Sequence, residues 1–159
     1  MSEHHVTTMP HRVKAEIEIN LPVDEVFAYV TDPQNQVHWV QAVSGIHDVS
    51  GPPGVGQRYT ADAHFLGKRL EQTEEITDFT PSQEYAWRTV KGPVHDVHHF
   101  RFEARDGKTR ITVELGVQDL KLLGRMAEPL IVRSARRHQE HSLETLKDLL
   151  ETHGPSHPR

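Results

Sequence analysis

The chain ends in its longest helix-forming stretch, and that stretch limits what the rest can fold into. On a helical wheel of Leu120 to Glu151, Ile131, Val132, Ala135, Leu143, Leu146, Leu149 and Leu150 share one broad face. Arg133, Arg136, Arg137, Glu140, Glu144 and Lys147 fall mostly on the other side. A helix of roughly 30 residues is about 45 Å long, enough to cross a whole small sheet. The apolar stripe is interrupted halfway at His138, Gln139 and Ser142. Two readings stay open there. The three side chains sit at the edge of the stripe and reach water, or the helix covers a partly polar hollow whose groups need partners.

Before this helix the chain reads almost entirely as strand. Val13 to Asn20 alternates strictly, with Val13, Ala15, Ile17 and Ile19 against Lys14, Glu16, Glu18 and Asn20. Pro22 suits the first turn of a helix. Val23, Val26, Phe27 and Val30 follow at helical spacing, with Asp24 and Glu25 where the helix dipole favours them. Asp32-Pro33 breaks this helix and starts a second short one through Trp39. Six more strands follow, bounded by turn signals: Val43 to Val49, Gln57 to Leu66, Lys68 to Phe79, Gln83 to Val90, Val94 to Ala104 and Thr109 to Val117. Asp106-Gly107 is the strongest hairpin signal among the turns. The fold class is therefore α+β, with about seven antiparallel strands and a long C-terminal helix. An antiparallel sheet must cover its apolar face, and only the last helix is long enough to do so. A curled sheet around one cylinder leaves a wedge between them, the expected small-molecule site.

With 159 residues, the chain reads as one domain over 12–152, flanked by polar disordered tails at 1–11 and 153–159. The formal charge of −5 argues against a general nucleic-acid binder. There is no cysteine, hence no disulfide and no thiolate zinc site, which fits a cytoplasmic protein. No apolar run approaches the length of a membrane span, and no secretory leader is visible, so no integral membrane association is expected. The oligomeric state, monomer or homodimer, is left open.

The candidate chemistry is thin. Gly51-Pro-Pro-Gly54-Val-Gly56 precedes a strand and reads as a turn, since no helix N-terminus follows to cradle phosphate. His95-Asp96-Val97-His98-His99 is split by strand alternation, with Asp96 and His98 on the inner face beside Phe100 and Phe102. His95 and His99 are about 13 Å apart along a strand and do not share a metal. An inward Asp96–His98 pair either raises the imidazole pKa and makes it an acid–base group, or is a buried polar pair near the sheet edge. His138 and His141 have helical spacing but no third ligand nearby, so neither metal nor cofactor is expected. Tyr59, Ala61, Ala63 and Phe65 form one strand face, where the two alanines leave room for a ligand or for close helix packing. Trp87 reads as core or cavity wall, and Trp39 as a plug between the short helices and the sheet.

The alternating first strand, the run Leu21-Pro-Val-Asp-Glu-Val-Phe-Ala-Tyr-Val-Thr-Asp-Pro33, Trp39, Gly54-Val-Gly56, Gly107-Lys-Thr-Arg-Ile-Thr-Val113 and the final Leu143-to-Glu151 run span nearly the whole domain. In this order they resemble the helix-grip fold of the START-like (SRPBCC) superfamily, in its polyketide cyclase/dehydrase-like branch. The resemblance implies a curved sheet gripping the last helix, and it brings no shared catalytic motif. Three functions are expected, in this order. The first is binding of a small hydrophobic molecule (a lipid, isoprenoid or polyketide) by Tyr59, Ala61, Ala63, Phe65, Trp87, Phe100, Ile131, Ala135, His138, Gln139 and Ser142. The second is a cyclase or dehydratase with His98 moving a proton, oriented by Asp96. The third is a protein-interaction module.

Overall fold

The computed structural model describes residues 11–65, 67–117 and 128–154, without the side chains of residues 65 and 128. Strand β1 (His11–Ile19) leads into α1 (Val23–Val30), and a 3-10 turn (Pro33–Asn35) runs into α2 (Gln36–Trp39). Six strands follow: β2 (Val43–Ser50), β3 (Arg58–Phe65), β4 (Lys68–Thr80), β5 (Glu84–Lys91), β6 (Asp96–Arg105) and β7 (Lys108–Val117). Helix α3 (Glu128–His153) closes the order. Residues 120–127 of the expected helix Leu120–Glu151 lie outside the described residues, and so do the tails at 1–10 and 155–159. No helix among the described residues is long and apolar enough to cross a membrane.

All seven strands form one antiparallel sheet in the order β1-β7-β6-β5-β4-β3-β2. Consecutive hairpins build it from β2 to β7, and β1 then adds to the far edge beside β7, with Ile17 opposite Ile111. The ladder continues outward to His11, opposite Val117, so β1 begins two residues before the alternating run starts at Val13. The β6–β7 turn puts Asp106 and Gly107 at φ 53° and 81°, the left-handed geometry of a two-residue hairpin. Register shifts in the β2–β3 and β4–β5 ladders bend the sheet.

The core fills the concave face unevenly. One large cluster joins α1 (Val26, Phe27, Val30), the sheet and the C-terminal half of α3 (Leu143, Leu146, Leu150). Phe27 stands edge-on to Phe79 and Phe102 at 5.3 and 5.0 Å. The N-terminal half of α3 contributes only a small separate cluster of Ala135 with Val13 and Leu115. At its far end α3 is tied to β1 by polar bonds. The Lys147 ammonium donates to the Glu18 carbonyl at 2.7 Å, and the Asn20 amide donates to the Glu151 carboxylate at 2.7 Å. One end of the grip is therefore packed shut by α1, and the other is spanned by a helix with little apolar contact beneath it.

Candidate functional site

Under that N-terminal half of α3 lies a cavity of about 160 Å³. Every layer contributes to its wall. From β3 come Tyr59, Ala61 and Ala63, from β5 Trp87, and from α3 Ile131, Ala135, His138, Gln139 and Ser142. The inner face of β6 supplies Asp96 and His98. Phe100, two residues further in, is 1% exposed and belongs to the core behind this wall. The reason is packing: Phe100 is stacked against the indole of Trp87, which does line the cavity. Trp87 is stacked on Phe100 at 5.3 Å and on His98 at 4.6 Å. The side chain of Phe65 lies outside the described residues. Trp39 is buried and edge-on to Phe100 at 6.2 Å.

The interruption of the α3 stripe has a structural role. The Ser142 hydroxyl is buried and accepts the Gln41 amide at 2.8 Å, so the helix is pinned to the segment after α2. His138 and Gln139, half-buried, face the cavity one turn earlier. Burial, with His141 and Arg137 nearby, lowers the His138 pKa from its usual value.

Asp96 and His98 share the cavity wall, but Asp96 does not orient His98. The carboxylate of Asp96 lies 2.6 Å from the Thr89 hydroxyl on the neighbouring strand. The imidazole instead stacks on Trp87, its Nδ1 is buried without a hydrogen-bond partner, and burial lowers its pKa despite the nearby Asp96 charge. The expected rise in imidazole pKa is thus reversed, because loss of hydration outweighs a carboxylate that is already engaged elsewhere.

Thr89 is the centre of a network that the residue patterns do not single out. Its hydroxyl also lies 3.1 Å from the Glu74 carboxyl and accepts the Gln72 amide at 3.3 Å. Gln72 accepts the backbone N–H of Val94 at 2.8 Å. Glu74 is 6% exposed, and burial together with the Asp96 charge raises its pKa well above the usual value. Beside Glu74 across the β3–β4 ladder, Tyr59 accepts a hydrogen bond from the Gln36 side chain of α2 at 2.8 Å. A signal for Glu74 is present in β4, where Leu70, Gln72, Glu74 and Ile76 alternate onto one face and two polar residues occupy inward positions.

Two clusters of metal-ligand type lie on the outer face of the sheet, away from the cavity: His47, Asp62 and Glu71, and Asp78, Glu84 and His99. In the first, the His47 ring already pairs with Asp48 at 3.0 Å and Asp62 at 3.2 Å, and these bonds raise its pKa.

Comparison with known proteins agrees with this architecture. Residues 10–151 match the family model described as polyketide cyclase / dehydrase and lipid transport. Among curated proteins, no significant match is found. Among solved structures, TTHA0849 from Thermus thermophilus superposes with a TM-score of 0.77 at 18% identity, covering 89% of this chain and 97% of that one. A START superfamily protein from Mycobacterium smegmatis gives 0.75 at 17% identity, covering 89% and 98%. The Zhui aromatase/cyclase from Streptomyces sp. R1128 gives 0.72 at 15% identity, covering 88% and 93%. At these identities the likeness is one of fold.

Proposed function

The chain belongs to the polyketide cyclase/dehydrase and lipid transport family, and from that premise we propose that it binds a small, mainly apolar molecule between the sheet and α3. The observation that supports this reading most directly is the cavity of about 160 Å³, walled by side chains such as Ala61, Ala63, Trp87, Ile131 and Ala135. In a comparable measure, an apolar cavity of roughly 150 Å³ accommodates benzene. The enclosed part of the ligand is therefore about one ring or a short branched chain, and a longer lipid, isoprenoid or polyketide extends through the mouth. Small residues at 61 and 63 keep this space open where larger ones would fill it.

A second reading, proton transfer on the bound molecule, is favoured by one specific observation. Asp96, His98 and Glu74 are titratable groups on the cavity wall, in surroundings that shift two of their pKa values in opposite directions. Binding is the reading preferred, because His98 has no carboxylate holding it.

Protein purified from its native host and analysed by mass spectrometry for released small molecules tests the first reading. One apolar compound in near-stoichiometric amount is expected, and its yield should fall in an Ala61→Leu variant, which fills the cavity. A compound retained equally by that variant would place it elsewhere and overturn the assignment. For the second reading, a His98→Ala variant should lose turnover of that compound while still retaining it.

A further inference from the structure

We propose that the cavity selects an apolar ligand carrying an ammonium group and rejects carboxylates, because Glu74, Thr89 and Asp96 place one negative charge on its wall that no described lining residue neutralises. The inference deepens the binding reading and rests on it.

The Thr89 hydroxyl lies within hydrogen-bond distance of both carboxyl groups, at 3.1 Å from Glu74 and 2.6 Å from Asp96. One hydroxyl hydrogen serves only one of these contacts. The Gln72 amide, which also bonds to Glu74, and the Asp96 backbone N–H point at the same hydroxyl oxygen, at 3.3 and 3.4 Å, and neither supplies the hydrogen that lies between that oxygen and a carboxyl. The second contact therefore needs a carboxyl proton. Glu74, the more deeply buried of the two, carries it and donates to Thr89, which donates in turn to Asp96. The pair holds one proton and one negative charge, since two carboxylates this close do not both ionise in an apolar wall.

No described residue of the wall neutralises that charge. Among the described residues that line the cavity there is no lysine or arginine. The ion pairs among the described residues use Glu75 on β4 and Glu84 on β5, yet neither Glu74 nor Asp96. The histidines on the wall do not replace a lysine. His98 and His138 are held toward the neutral form, and His64 sits at the exposed rim on β3. A carboxylate lined by apolar surface gains most from a cation that enters with the ligand, because a charge is costly to keep out of water without a partner. An anionic ligand meets like charge in the same low-dielectric space and is excluded. Asp96 is half-buried and at the wall, so its second oxygen remains the natural contact for an ammonium group.

Phenethylamine, 2-phenylethanol and phenylacetate share one ring and nearly one shape, and differ in the charge of the head group. Ethylbenzene is the control with no head group. Titration of the full chain at pH 7 by calorimetry should rank them amine, then alcohol, then carboxylate, with the amine at least tenfold tighter than the carboxylate. Asp96→Asn should bring amine and carboxylate to within about threefold. Amine and carboxylate equal in the wild-type protein, while ethylbenzene binds, would overturn the charge selection and leave the cavity reading intact. Failure of all four compounds would overturn the cavity reading and this inference together. The wild-type ranking decides the matter even where Asp96→Asn fails to fold.

Discussion

Glu74 shows how much one inward residue determines. Its carboxyl is buried beside Asp96, and its pKa is raised from the usual 4.5. Between that value and the folded one, the native state holds a proton that the unfolded chain has released. Stability then falls as pH rises through the folded pKa. His98 acts with the opposite sign. Its pKa is lowered from 6.5, so its contribution is present above that value and lost as pH falls through the folded pKa. The groups facing Glu74 are Asp96 and Tyr59, both linked to it electrostatically. A Glu74→Gln variant has no proton to release. Urea unfolding at pH 5, 6, 7 and 8 should show a shallower loss of stability toward alkaline pH than in the wild type. Parallel profiles for the two proteins would mean that Glu74 titrates alike in the folded and unfolded chains. Strand alternation in the sequence places Asp96 and His98 correctly on one face, but it does not show that Asp96 bonds across to Thr89. Alternation fixes which side of the sheet a residue takes. The partner on the next strand depends on register, and register depends on bulges that leave little trace in a sequence.

At the scale of elements, α3 divides into two halves with different duties. Leu143, Leu146 and Leu150 are buried in the main core, whereas the half around Ile131 to Gln139 roofs the cavity. Leu146→Ala removes a side chain with no exposed surface and should cost about 2–5 kcal/mol, read by chemical denaturation. A comparable loss from Ile131→Ala would contradict this division, because Ile131 borders space that is already open. The turn between β5 and β6 is constrained by close approach. Gly92 has φ +142°, and a Cβ there would lie 2.9 Å from the Gln72 side chain and 3.1 Å from backbone atoms of residues 71 and 72. Gly92→Ala should therefore displace Gln72, loosen its bond to the Val94 amide and destabilise the protein by roughly 1–3 kcal/mol. A melting temperature unchanged within about 1 °C would show that the turn yields freely. The elements themselves are legible from the residues: every strand falls within about two residues of its expected bounds, because Gly, Pro and Asp-Gly punctuate them. The roofing role of α3 is legible only as an irregularity in its stripe at His138, Gln139 and Ser142. Their common cause, a pin to Gln41 beside an open hollow, lies in a contact between residues about 100 positions apart.

For the whole molecule, the described wall of the cavity carries carboxyl groups and no lysine or arginine. A net charge of −5 is spread over the chain. Of the carboxyl groups among the described residues, those of Glu74 and Asp96 are the ones that line the cavity. The sign of the ligand's charge therefore matters more there than on the solvated outer face. The sheet order has a further consequence, for the ribosome. Residues from β2 to β7 pair with the strand just made and can zip up as hairpins while the chain is still emerging. β1 cannot, because Ile17 pairs with Ile111 and the Asn20 amide is held by Glu151, 131 residues later. β1 thus precedes its partners in synthesis and is among the last of these strands to find its place. Until the final helix leaves the exit tunnel, the nascent chain carries an unpaired β7 edge and an uncovered concave face. During that interval a chaperone, or a second nascent copy, can reach the concave surface that α3 covers in the finished protein.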